Sequence, residues 1–159
     1  MLNKSVLIAL LMVFIHRSVS AQQDFLKEPD RNRPSLFSNV PETVSIPVAL
    51  LDHVSSLTTG SAVDISLGGT FHYKGTVASS TVQNEGKLLT VIVTSSTGPS
   101  GPTLPGSFLT LSRVVHDDKT ISYIARILSF QHADCMVLKE NADHSYSFIK
   151  KKFYDIVGE

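Results

Sequence analysis

Cys135, the six histidines and a scatter of serines and acids are the groups in this chain able to carry covalent or metal chemistry. Cys135 comes first. A cysteine attacks as its thiolate, so it needs a base or a cation beside it. Only one histidine, His144, follows it in the chain. A hairpin between them would bring the two side chains together, which makes Cys135 with His144 the candidate pair for a small cysteine-dependent hydrolase. No third residue stands out to orient the histidine. Met136-Val137-Leu138 reads as a strand, and a half-buried strand cysteine behaves as a small apolar group. The reading preferred here assigns no catalytic residue.

Metal chemistry has as little to work with. His132 precedes Cys135 by three residues, which is half of a zinc site, and His53, His72, His116 and His144 show no partner spacing. No metal ligands and no cofactor are expected. Gly98-Pro99-Ser100-Gly101 lacks the strand-to-helix setting of a nucleophile elbow. Gly68-Gly69 leads into a strand rather than a helix, so it is a hairpin turn and not a phosphate cradle. Asp117-Asp118 lacks calcium-loop spacing and reads as a solvated turn.

Two features suit binding better. Ser95–Gly106 carries Gly98, Gly101 and Gly106 with Pro99, Pro102 and Pro105, and so cannot lie inside a sheet. It is a long surface loop with Leu104 between prolines, and Pro99, Pro102, Leu104 and Pro105 are its candidate binding residues. Lys150-Lys151-Lys152 alternate sides if they lie on a strand. They read as lysines guarding a solvated edge strand.

The elements that position these groups are mainly strands. Thr43–Ile46 is a short strand candidate. Pro47–Leu57 spaces Val48, Leu51 and Val54 by three, with proline tolerated in the first turn, so it reads as a short helix. Ala62–Leu67 alternates apolar and polar, as does the stretch Phe71–Val77. Asn84-Glu85-Gly86 marks a turn before Leu88–Thr94. Ser107–Val115, Thr120–Leu128, Asp134–Leu138 and Ser145–Phe153 follow, separated by polar turns at His116–Lys119 and Asn141–His144. Short turns between successive strands indicate a mainly β fold. We expect a single antiparallel sandwich or partly closed barrel of about seven strands with one short helix.

Residues 1–21 read as an export signal. Lys4 supplies charge, Val6–Ile15 is an apolar run, and Val19-Ser20-Ala21 places small residues at the cut. The run is about half of the ~20 residues that cross a bilayer as a helix, so no integral membrane segment is expected after its removal. Gln22–Val40, broken by Pro29 and Pro34, reads as an extended arm, ordered only if Phe25, Leu26, Leu36 and Phe37 find a groove. The β-rich domain is expected to span 41–159. Charges balance at 14 basic against 14 acidic residues, and Lys4 and Arg17 leave with the signal. Nucleic acid is not an expected partner, because phosphate binding needs a concentrated basic face. A lone cysteine permits no internal disulfide, so packing must hold the exported domain. The mature stretch has no Asn-x-Ser/Thr acceptor, in keeping with a bacterial protein, secreted or periplasmic.

Phe71-His72-Tyr73-Lys74-Gly75-Thr76-Val77, Ser107-Phe108-Leu109-Thr110-Leu111-Ser112 and Ile121-Ser122-Tyr123 together resemble the small β domains that precede the catalytic region of some secreted bacterial metalloproteases. The likeness covers Val63–Lys150. It implies a domain that packs against a protease and restrains it, although no His-Glu-x₂-His follows here. Asp134-Cys135 also resembles the Asp-Cys start of papain-like cell-wall peptidases, without the small residues that follow that nucleophile.

The expectation is therefore a secreted, non-enzymatic β domain that binds another polypeptide through an exposed strand edge or the Ser95–Gly106 loop. The alternatives are the Cys135–His144 hydrolase and a carrier for an apolar ligand, in which Phe71, Tyr73, Val91 and Val93 would line a barrel cavity.

Overall fold

The computed structural model describes residues 33–67, 72–95, 106–152 and 155–156. The leader, most of the arm, Gly68-Gly69, Phe71 and the loop residues Pro99, Pro102, Leu104 and Pro105 lie outside the described residues.

Eight strands form one antiparallel sheet that curls into a half-barrel, with one helix. They are β1 (Thr43–Ile46), β2 (Ala62–Ser66), β3 (His72–Gln83), β4 (Leu88–Ser95), β5 (Phe108–Val115), β6 (Ile121–Leu128), β7 (Asp134–Glu140) and β8 (Tyr146–Lys152). The helix α1 (Val48–Ser55) joins β1 to β2. Strands β2 to β8 run as a meander, and β1 returns to lie beside β8, giving the order β1-β8-β7-β6-β5-β4-β3-β2. The architecture is the partly closed barrel of the two expected forms. The count rises above seven because the four residues of β1 pair along their whole length with Tyr146–Ile149.

Turn chemistry explains the hairpins. Glu85 and Gly86 both have positive φ, and the Lys87 amide donates to the Asn84 carbonyl, as a type I′ turn demands. The β5–β6 and β7–β8 turns share another design. Lys119 and His144 adopt left-handed backbone, while Asp118 and Asp143 accept from the amide and hydroxyl of Thr120 and Ser145. Those bonds hold both carboxyls below their usual range.

Strand alternation fills the concave face. Val91 and Val93, Leu109 and Leu111, Ala125 and Ile127, and Met136 and Leu138 all point inward and are buried. Helix α1 covers this face near the β5–β6 and β7–β8 turns, burying Leu51 and Val54. At the opposite end of the β7–β8 hairpin, residues before Pro41 do the same. Phe37 is fully buried and Val40 nearly so, and the Asp134 carboxylate accepts from the Ser35 hydroxyl and from the amides of Leu36 (2.6 Å) and Phe37 (2.9 Å). The folded body thus begins upstream of Pro41, because Phe37 and Val40, near the end of the expected arm, are buried.

Two further expectations change. Strand β3 continues past Val77 to Gln83, since a bulge between Val77 and Ser79 shifts its register and lets it keep pairing with β4. The lysine-rich strand β8 is not an edge; it lies between β1 and β7. Lys150 is drawn in by Glu42, which accepts from its Nζ at 3.1 Å and from its amide through the main chain.

Gly75 sits where β3 and β4 come closest. A Cβ there would stand 2.4 Å from the Thr94 carbonyl oxygen and 2.8 Å from Val93 Cγ1. Gly75→Ala should therefore cost about 1–3 kcal/mol of stability in urea unfolding. Phe37→Ala should cost about 3–5 kcal/mol, because it leaves a void at one end of the core. A Phe37→Ala loss below about 1 kcal/mol would show that the segment before Pro41 is not part of the cooperative unit.

Candidate functional site

The structure separates the two residues of the candidate hydrolase. Cys135 is the second residue of β7, opposite Lys151, whereas His144 lies in the turn beyond Glu140 at the other end of the hairpin. Five residues of strand separate Cys135 from Glu140, roughly 17 Å at the usual rise. His144 Nδ1 lies 2.7 Å from Glu140 Oε1 and lowers that carboxyl's pKa. Cys135 is fully buried, and its Sγ lies 3.6 Å from the Lys151 carbonyl oxygen. Burial first, and then the neighbouring Asp134 charge, push its pKa up to about 11. A thiol in that setting stays protonated at neutral pH. Likewise His132 Nδ1 is engaged with Ser129 Oγ at 2.9 Å, and among the described residues no three His, Cys, Asp or Glu side chains converge as metal ligands.

The space beneath the helix is too small for a carried ligand. Tyr73, Val91 and Val93 are fully buried in packed side chains. The space between α1 and the sheet, lined by Ile46, Leu51, Val54, Leu111 and Phe148, is about 10 Å³. Ligand sites run from about 300 Å³ upward.

A polar cluster fastens α1 to the sheet. Asp52 on the helix accepts from the Tyr123 hydroxyl on β6 and from Arg113 Nε on β5 at 3.3 Å. Burial, and then the Asp52 carboxylate, push the Tyr123 pKa up to about 12. The Tyr123 ring meets Tyr146 edge-on at 5.4 Å, and the Tyr146 hydroxyl donates to Glu140 at 3.2 Å. Asp52 and Arg113 also line an open hollow of about 520 Å³ with Ala49, His53, Ser55, Ser56 and Leu89. The cluster neutralises its own charges, which suits a fastener better than a reactive centre.

The remaining feature is the edge of the sheet. A half-barrel keeps free strand edges, and here they differ in protection. Strand β1 is four residues long, flanked by Pro41 and Pro47. Strand β2 carries Asp64, bonded to His72 at 2.7 Å and to Lys74 at 3.4 Å, so its outer face is charged; the His72 bond first, with Lys74, lowers the Asp64 pKa. Strand β2 pairs with β3 only over His72–Thr76. Gly60 and Ser61 then meet Val77 through two main-chain bonds of 2.8 and 2.9 Å. Beyond that point Ala78 lies in the bulge, and Ser79–Gln83 pairs with β4 on one side and, among the described residues, with no strand on the other. This stretch, Ala-Ser-Ser-Thr-Val-Gln, has neither charge nor proline, and Val82 is 62% exposed. Short edges, prolines and charges are how proteins blunt free edges. Among the described residues, only this one is bare.

The bare edge escapes a reading of the residues alone, because the alternation of apolar residues stops at Val77. Its sequence signal is the lack of any guarding residue between Lys74 and Glu85. Set against family models, curated proteins and solved structures, the chain finds no match in any of the three.

Native Cys135 should react with a thiol reagent at pH 8 roughly a hundredfold more slowly than in denaturant, given its raised pKa. Labelling as fast as a free cysteine would contradict the buried placement and revive a reactive thiolate.

Proposed function

We propose that this chain is an exported, non-enzymatic β domain that recognises another polypeptide by strand addition at the exposed edge of β3. The carrying observation is the bare stretch Ala78–Gln83, whose five ladder residues Ser79–Gln83 have no strand on their outer side among the described residues. An extended segment placed there gains main-chain hydrogen bonds, and its alternate side chains face inward or outward with those of β3. Ser80 and Val82 share the inner face, since they pair with Val91 and Leu89. Leu89 is also a wall of the hollow that holds Asp52 and Arg113. An incoming inner-face side chain opposite Val82 therefore has that exposed valine as an apolar seat.

The metalloprotease likeness makes a protease the partner that the resemblance implies. Export from a bacterial cell belongs to the same proposal. The loop residues Pro99, Pro102, Leu104 and Pro105 are the rival binding element, and the test separates them from the edge.

Peptides selected from a random display library on sparsely immobilised protein should be extended, uncharged and alternately apolar. Val82→Lys should weaken their capture about tenfold, the equivalent of losing one seated side chain, while deletion of Pro99–Pro105 should leave it unchanged. Selected peptides that ignore Val82→Lys but fail on the loop deletion would move the binding site to the loop. A library that yields no binders would sink the reading.

A further inference from the structure

The three edges of the sheet differ in what would happen if each met its own copy. In a two-fold antiparallel pairing, a residue at the centre faces itself, so any charge there meets its own sign. Pairing of β2 about Asp64 would oppose two carboxylates. Strand β1 offers four residues between prolines. Ala78–Gln83 has no charge to oppose, and Thr81 lies at the middle of its run from Ser79 to Gln83.

We propose that the strand added at this edge is β3 of a second copy, paired antiparallel about a two-fold axis at Thr81 to make one continuous sheet across two protomers. This rests on the strand-addition reading above and names its occupant. In that register Thr81 meets Thr81 of the other copy, Ser80 meets Val82, and Ser79 meets Gln83. All pairs stay on matching faces, because their indices differ by an even number.

Three observations support the fit. Thr81 pairs with Thr90, whose hydroxyl lies 3.0 Å from Ser112 Oγ. The outer face thus carries a hydroxyl row, Ser112–Thr90–Thr81, that runs to the edge and continues through the axis; such Thr–Thr and Thr–Ser cross-strand pairs are favourable. On the inner face, Val82 is an exposed apolar side chain and would gain cover from Ser80 of the other copy and the strand behind it. The chain geometry also leaves space. Strand β3 ends at Gln83 in a turn that leads back toward β4 and away from the partner. At the other end, Gly60 and Ser61 occupy the ladder only as far as Val77.

A ladder this short gives weak, concentration-dependent association, in the region of micromolar. Sedimentation velocity of the purified chain should show a shift from one to two protomer masses as concentration rises. Thr81→Lys and Thr81→Glu alone should each hold the chain at one protomer mass, since each opposes like charges across the axis. Their equimolar mixture should recover the two-protomer mass. Both side chains are exposed, and unchanged far-UV circular dichroism would confirm that folding is kept. A wild type that stays at one protomer mass to submillimolar concentration would overturn the proposal. So would association that survives Thr81→Lys, or a mixture that fails to recover. If the single-protomer chain still captures displayed peptides in a Val82-dependent way, strand addition stands and only the second-copy occupant falls.

Discussion

An antiparallel sheet that curls without closing must cover an apolar concave face, and everything else in this structure answers that demand. The inward residues of seven meander strands would otherwise face water, at about 25 cal/mol for each Å² of apolar surface left exposed. The chain supplies its covers from the two segments that flank β1. Helix α1 follows Ile46 and lies over one end; the Phe37 turn precedes β1 and fills the other. The short β1 is thus the hinge point from which both covers reach inward, which explains why four residues are paired so fully with β8.

Each cover is fastened through one carboxylate. Asp134 on β7 gathers the Ser35 hydroxyl and two amides of the Phe37 segment, and Asp52 on α1 takes the Tyr123 hydroxyl and Arg113. The two clips differ in kind. Asp134 is 7% exposed and satisfied entirely by neutral donors, so removing those donors would leave a buried charge unpaired, at a cost of several kcal/mol. Asp52 is half exposed and shares its charge with Arg113, so solvent screens much of that attraction. The Phe37 end is therefore held by the more demanding interaction, and the helix end by apolar packing with a modest polar supplement.

Much of this was legible in the residues. Period-two alternation, β-branched runs and turn residues locate every strand to within a few positions except the second half of β3, and the spacing of Val48, Leu51 and Val54 locates α1. Phe37 was not legible as core, because apolar residues scattered through a proline-broken polar stretch carry no period; the distant Asp134 gives it a fixed place. The length of β3 was hidden for a related reason. Ala78-Ser79-Ser80 looks like a strand ending, yet the bulge there resets the register and β4 carries the pairing onward. The position of β8 was misjudged because three lysines resemble edge protection, whereas Glu42 folds over Lys150 and β1 covers that side.

The hidden length of β3 has a structural consequence. Strands β2 and β3 are joined by a hairpin at the end of the sheet away from α1, so the five residues of β2 cover only the first part of a twelve-residue neighbour. The chain that enters β2 comes from α1 and crosses β3 at Val77, where Gly60 and Ser61 give it two bonds before β2 begins. The helix must end on the concave side to seal the core, and from there the chain reaches the edge of the sheet only midway along β3. Lengthening β2 to protect Ala78–Gln83 would require moving the end of α1 off Leu51 and Val54. The bare edge is thus tied to the way the core is closed: the same path that buries the helix leaves one stretch of ladder open, and a strand from another chain is the simplest group to complete it.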